Sequence, residues 1–128
     1  MKKLSLALLG LSALATVALA PAAAYADCAP GNCWGAVAYG PGGAWAYSYN
    51  YPTELIAGRV AQRNCRGRCN HILTFQNSCG AYASGPSARS YYGWGSAMSP
   101  GEARAIAMAE CNARGPDCFV RISACTLR

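Results

Sequence analysis

The sequence predicts an α+β fold in which two tandem β-β-α-β repeats share one core and are stabilised by disulfides. Three observations lead to this prediction. A residue pattern occurs twice, about 46 positions apart; each copy has alternating, strand-like runs before a stretch with helical spacing; and the chain has eight cysteines. With 128 residues, 53% hydrophobic and 12% charged, the chain is long enough for one domain. Its composition excludes a charged disordered tail.

The repeat is clearest where the strands and cysteines recur. Residues Gly35–Pro41 (GAVAYGP) return as Gly80–Pro86 (GAYASGP), and Cys79 returns as Cys125. Such internal similarity indicates that one supersecondary unit occurs twice. The two units are residues 33–79 and 79–125.

Each unit begins with a predicted β-hairpin. Residues 34–39 have the alternating side-chain pattern of a strand, and a Gly/Pro turn follows at residues 40–43. A second alternating run covers residues 45–51. The second unit has the same signals at residues 80–84, 85–87 and 92–95.

A helix and a last strand complete each unit. Thr53 and Ser99 are suitable N-caps, and Pro100 follows Ser99 at the first helical position. Apolar residues then recur at helical spacing, namely Ala57, Val60, Ala61 and Ala103, Ile106, Ala107. The last strands are expected at residues 72–75 and 119–122.

The first 26 residues are typical of a secretory signal peptide. Lys2 and Lys3 precede an uncharged stretch from Leu4 to Ala20, and Ala24 and Ala26 are the small residues of a cleavage site. The uncharged stretch is shorter than the ~20 residues of a membrane anchor, the alternative. We expect one mature domain, residues 27–128, without a transmembrane segment and located outside the cytoplasm, secreted or periplasmic. Its charge falls from +6 to +4 because both lysines are removed.

An even number of cysteines in an exported chain predicts disulfides. When a helix is followed by an antiparallel strand, the end of the helix lies beside the start of that strand. This favours a disulfide between cysteines that are close in sequence after each helix. The cysteines that end the units form another pair, and two remain near the N-terminus. The expected disulfides are Cys65–Cys69, Cys111–Cys118, Cys79–Cys125 and Cys28–Cys33. A zinc site at Cys65, Cys69 and His71 is the alternative, and we expect no metal.

The sequence contains no motif of a known catalytic centre among those for serine hydrolases, zinc proteases or P-loop enzymes. His71 is the only histidine. It could act as a general base with Glu54 or Asp117, or lie exposed or capping at the start of a strand. We therefore expect no catalytic residue and no cofactor.

Two surface features are candidates for binding. The first is a row of aromatic residues with period-two spacing, which places each set on one face of its strand. The residues are Trp45, Tyr47, Tyr49 and Tyr51, with Tyr92 and Trp94 in the corresponding strand. Such a face is either core beneath the helix or a platform on which sugar rings or peptides stack.

The second feature is a cluster of arginines. Arg59 and Arg63 lie four residues apart on one helix face, and Arg66 and Arg68 continue the cluster into the loop. They form either a solvated helix face or a site for anionic lipid or cell-wall polymer. No nucleic acid is expected, because a charge of +4 is small for that partner.

The order of these motifs resembles a known family. Trp34–Tyr39 (WGAVAY), Trp45–Tyr51 (WAYSYNY), the Cys65/Cys69 pair and Phe75–Ala81 (FQNSCGA) together resemble the bacterial secreted domain of unknown function 4189. The resemblance covers nearly the whole mature chain and implies export behind a signal peptide. It implies no activity and no catalytic residue. Cys28 and Cys33 are additions to the cysteines that the family shares.

The sequence therefore predicts a secreted, non-enzymatic binding or interaction module. Its partner would be a cell-wall glycan, an anionic surface or a protein. The alternatives are a cationic effector that acts on membranes or host partners, and a hydrolase that uses His71.

Overall fold

The structure, a computed structural model, describes residues 28–86 and 91–126. The expected signal peptide, residues 1–26, lies outside the described residues. The strands and helices follow one another in the order β1 (Trp34–Tyr39), β2 (Trp45–Tyr51), α1 (Glu54–Asn64), β3 (His71–Gln76), β4 (Cys79–Ser84), β5 (Tyr92–Ala97), α2 (Pro100–Asn112) and β6 (Phe119–Cys125). A short 3-10 turn, Pro41–Gly43, connects β1 to β2.

The strands form two antiparallel sheets of three strands each. Their orders are β2-β1-β3 and β5-β4-β6. Each half of the described chain thus runs β-β-α-β, with its first strand in the middle of its sheet. Within the described residues, no helix is both long and apolar enough to cross a membrane.

Side-chain caps fix where the two helices begin. The Thr53 hydroxyl accepts a hydrogen bond from the Ile56 N–H at 3.2 Å, and the Ser99 hydroxyl accepts one from the Glu102 N–H at 3.2 Å. Each cap satisfies a helix N–H that has no partner within the helix. The sequence predicted both caps.

Each helix packs on the outer face of its own sheet through small residues. Ala57 and Ala61 of α1 are fully buried against Ala36 and Ala38 of β1. In the other half, α2 packs on β4 in the same way, through Ala103 and Ala107 against Ala81 and Ala83. Small side chains on both surfaces allow the helices to lie close to the sheets.

The core is divided into three clusters rather than the single core that we expected. Two of them lie between a helix and its sheet. The third lies between the sheets, where Val37, Tyr39 and Phe75 pack against Tyr82 and Ala124. The division arises because both faces of each sheet are covered, one by a helix and one by the other sheet.

Four disulfides join the same cysteines that the sequence analysis paired. They are Cys28–Cys33, Cys65–Cys69, Cys79–Cys125 and Cys111–Cys118. The cysteines of the third lie opposite each other on β4 and β6. The N-terminal disulfide loop is held by the Asn77 side chain, which accepts from the Cys33 N–H and donates to the Gly31 carbonyl oxygen, both at 2.9 Å.

Candidate functional site

Three large aromatic side chains of β2 are exposed. Trp45, Tyr47 and Tyr49 expose 38%, 38% and 49% of their surfaces, whereas the residues between them, Ala46 and Ser48, are buried. We call these three side chains the β2 aromatic surface. The small residues, not the aromatic ones, lie beneath α1, where the Ser48 hydroxyl donates to the Ala57 carbonyl oxygen at 2.6 Å. The interpretation of this face as core beneath the helix is therefore not supported.

The position of β2 in its sheet explains this exposure. Tyr47 lies opposite Val37 and Trp45 lies opposite Tyr39, so these four side chains share one face of the sheet. That face points to the second sheet, which buries Val37 and Tyr39 on the central strand. On the edge strand β2, the aromatic side chains extend past this cover. The rings of Tyr47 and Tyr49 lie nearly parallel, 11° apart in orientation, with centroids 6.1 Å apart.

A groove of about 580 Å³ runs beside the β2 aromatic surface. The residues of β2 line it together with Val60 and Asn64 of α1. The Asn64 side-chain amide donates to the Tyr47 carbonyl oxygen at 3.2 Å, so this carbonyl points away from β1. A groove of this volume falls in the range of ligand-binding sites.

Trp94 is exposed as well, but it belongs to a different part of the molecule. It lies on β5, an edge strand of the second sheet, and 43% of its surface is exposed. Trp94 lines a small cavity with Leu73 and Phe75 of β3, whereas β2 packs against β6. The structure therefore does not bring Trp94 to the β2 aromatic surface.

The arginine cluster lies on the opposite face of the first sheet from the β2 aromatic surface. Arg59 and Arg63 are exposed on α1 and line a second groove, of about 710 Å³, between α1 and β3. Arg66 and Arg68 are exposed in the loop that follows α1. The two features that the sequence singled out are thus separate surfaces.

His71 stacks on aromatic rings at the start of β3. Its ring lies parallel to that of Tyr39, with centroids 5.0 Å apart, and 6.2 Å from that of Tyr92. One of its two expected carboxylate partners, Glu54, instead accepts a hydrogen bond from the Thr74 hydroxyl at 2.6 Å. Within residues 28–86 and 91–126, no group of His, Cys, Asp and Glu side chains could hold a metal ion.

The tyrosines beside His71 form a cluster that the sequence analysis did not identify. Tyr39 stacks on Tyr82, with centroids 4.9 Å apart, and contacts Tyr92. Burial raises the pKa of Tyr39, and its hydrogen bond with Tyr92 raises it further. Burial also raises the pKa of Tyr82. Sequence periodicity could not reveal this cluster, because it forms between strands of different sheets.

A further aromatic group, which the sequence did not single out, lies on β6, the strand that packs against β2. Phe119 is exposed, and the guanidinium carbon of Arg121 lies 3.7 Å from the centroid of its ring. Such a pair combines a flat apolar ring with a positive charge. The spacing of two residues within a strand was the available signal.

Comparison with known proteins gives the family of the chain. Over 62 residues it is 36% identical to Protein Rv1269c of Mycobacterium tuberculosis (strain ATCC 25618 / H37Rv) and to Protein Mb1300c of Mycobacterium bovis. These matches cover 48% of the chain and 48% of each relative, so the match spans about half the length of these curated relatives.

The NMR structure of Rv1813c from Mycobacterium tuberculosis has a similar fold, with a TM-score of 0.54 at 24% identity. That likeness covers 98% of this chain and 94% of the other. Residues 34–125 match the family described as Domain of unknown function (DUF4189). Because this match covers most of the chain, the protein belongs to the DUF4189 family.

Proposed function

We propose that this protein is an exported, non-enzymatic binding domain that recognises a cell-wall glycan through the β2 aromatic surface. One observation carries the proposal. Trp45, Tyr47 and Tyr49 remain exposed on one edge strand, although the buried residues between them show that the same strand also packs in the core.

The chemistry of sugar rings matches this surface. The C–H faces of a pyranose ring are apolar and flat enough to stack on Trp and Tyr, while its hydroxyl groups point to the sides. Tyr and Trp suit such partly wet contacts because each combines an apolar ring with a polar tip. A row of rings along a strand favours a ligand that also repeats, such as the glycan strand of peptidoglycan, and the adjacent groove has room for its substituents.

Export is supported by two features of the chain. Four disulfides are typical of proteins in oxidising compartments. The first 26 residues have the composition of a signal peptide. A glycan outside the cytoplasm would be accessible to a protein exported in this way.

We also propose that the two halves arose by duplication of the units 33–79 and 79–125. The shared β-β-α-β order and the equivalent sheet orders support this. In that case the second half keeps only Trp94 of the exposed aromatic row, since on the same face of β5 Tyr92 is half-buried against Tyr39 and the third position is Ser96.

A binding role is favoured over hydrolysis by the surroundings of His71. Its neighbouring rings are those of Tyr39 and Tyr92, and Glu54 is engaged by Thr74. A general base needs a substrate proton within hydrogen-bond reach, and an orienting carboxylate would improve it. The stacking of His71 is a structural role that needs neither.

The experiment is co-sedimentation of the purified, disulfide-bonded protein with insoluble peptidoglycan and with chitin. We expect the protein to be retained, and Trp45→Ala to weaken retention about tenfold, the loss expected for one stacking contact. Trp94→Ala is the matched control, because it removes an equally exposed tryptophan from the other sheet. Absence of retention on both polymers, or equal losses in the two variants, would overturn the proposal.

A further inference from the structure

We propose that the groove between α1 and β3 docks this protein on an anionic lipid bilayer. We call it the α1–β3 groove, and it has a volume of about 710 Å³. The residues that carry the inference are Leu55, Gly58, Arg59, Arg63 and Ile72. This surface does not depend on the β2 aromatic surface, since the two lie on opposite faces of the first sheet.

The floor of the groove is apolar and open. Leu55 exposes 62% of its surface and Ile72 exposes 40%. Gly58 lies between α1 and β3, and a Cβ built on it would lie 3.5 Å from Ile72 Cγ2. The absence of a side chain at Gly58 leaves Ile72 accessible and creates the groove.

The rim of the groove is basic. Leu55, Arg59 and Arg63 recur every four residues and so form one stripe along α1. Within the part of the chain that the structure describes, Arg59 and Arg63 form no salt bridge. The acidic residue that lines the groove, Glu54, already accepts a hydrogen bond from Thr74. Two arginines against this one carboxylate give the groove a net positive charge, and Arg66 and Arg68 extend the positive charge beyond the end of the helix.

The spread of these charges favours an extended partner. Helix α1 has 11 residues and is therefore about 16 Å long. A single small anion cannot contact Leu55 at one end of this stripe and the arginines that follow it. A lipid interface presents phosphates across a wide area, directly above an apolar layer.

The arrangement of apolar and basic groups matches that layering. Leu55 and Ile72 would enter the boundary of the acyl chains, while the neighbouring arginines remain at the level of the phosphates. An acidic peptide or polymer would satisfy the arginines but would leave exposed Leu55 without an apolar partner. Charge complementarity and apolar exposure together therefore favour an anionic membrane surface.

The test is co-sedimentation with vesicles of phosphatidylcholine, with and without phosphatidylglycerol. We expect binding only to vesicles that contain phosphatidylglycerol, and weaker binding as salt is raised. Arg63→Gln should weaken this binding severalfold. The matched control is Arg104→Gln, because Arg104 is an exposed arginine on the other helix and its loss changes the net charge equally. Leu55→Ser should also weaken binding, since it removes the apolar contact but no charge.

Three results would overturn the proposal. Vesicles with phosphatidylglycerol that do not bind the protein would exclude a membrane partner. If Arg63→Gln and Arg104→Gln lose equal amounts of vesicle binding, then net charge, and not the groove, determines binding. Unchanged binding by Leu55→Ser would show that the apolar floor plays no part. Trp45→Ala should bind vesicles normally, so the outcome is independent of glycan recognition.

Discussion

The smallest residues set how closely each helix lies on its sheet. Gly93 of β5 lies beneath α2, where an added Cβ would collide with the Ala107 carbonyl oxygen and the Cys111 backbone nitrogen. Both obstacles are backbone atoms of the helix, which cannot rotate away as a side chain can. Gly95 of the same strand meets the α2 backbone in the same way, at the Ala103 carbonyl oxygen, so the two glycines together set the distance between α2 and the second sheet.

We predict that Gly93→Ala lowers the free energy of unfolding by about 1–3 kcal/mol, the usual cost of overpacking. Urea unfolding followed by circular dichroism measures this. Gly101→Ala is the control, because nothing lies within 4 Å of an added Cβ there. Gly101 is in the first turn of α2, so alanine should raise stability by about 0.5 kcal/mol. A Gly93→Ala variant as stable as the original would show that α2 can move away from the sheet at little cost.

The residue spacing of β2 predicted which aromatic side chains share a face, but not whether that face is exposed. Period-two spacing placed Trp45, Tyr47 and Tyr49 on one face of β2. Spacing could not show whether that face was covered, because the cover belongs to a sheet formed by the other half of the chain. The small size of Ala46 and Ser48 was the available signal, since a closely packed helix needs small residues opposite it.

The disulfides that join strands and helices differ in how much chain they constrain. Cys79–Cys125 joins residues separated by 46 positions, whereas Cys65–Cys69 spans a separation of 4. A crosslink stabilises mainly by reducing the entropy of the unfolded chain, and the reduction grows with loop length. The disulfide between β4 and β6 should therefore stabilise the protein more than the one after α1.

We predict that replacing Cys79 and Cys125 together by alanine lowers the free energy of unfolding by about 4 kcal/mol. The same replacement of Cys65 and Cys69 should cost about 2 kcal/mol. Urea midpoints of the two double variants compare these values directly. A larger loss in the Cys65/Cys69 variant would mean that packing at the end of α1, rather than loop closure, dominates.

The elements themselves could be predicted, but their mutual placement could not. The local signals are the caps at Thr53 and Ser99 and the Gly/Pro turn after β1. Each helix begins at its cap, and the first hairpin turns at the Gly/Pro segment. The separation of Arg63 from Trp45 by a whole sheet is a tertiary property. It depends on which face of the sheet α1 covers, and no local signal specifies that face.

The tyrosine cluster joins the two sheets and so the two halves of the described chain. Tyr39 of the first sheet stacks on Tyr82 of the second, and both hydroxyl groups have a raised pKa, chiefly because of burial. Ionisation of either phenol would place a negative charge between the sheets. The contact between the two halves is therefore sensitive to alkaline pH.

We predict that stability falls as pH rises above about 10. In the unfolded chain Tyr39 ionises at its ordinary pKa of 10.0, whereas in the folded protein it keeps its proton to higher pH. Since the unfolded state loses its proton first, alkaline pH favours unfolding. Tyr39→Phe cannot ionise, so its urea midpoint should fall less steeply with pH. The exposed Tyr47→Phe is the control, and an equal slope in both variants would contradict this account.

An NMR titration shows whether glycan binds at the β2 aromatic surface. The chain has three tryptophans, Trp34, Trp45 and Trp94, and we expect each indole N–H to report on its own position. On addition of soluble N-acetylglucosamine oligosaccharides, we expect the Trp45 signal to shift in a saturable way while those of Trp34 and Trp94 stay unchanged. An unchanged Trp45 signal, or a saturable shift confined to Trp94, would show that glycan does not bind at the β2 aromatic surface.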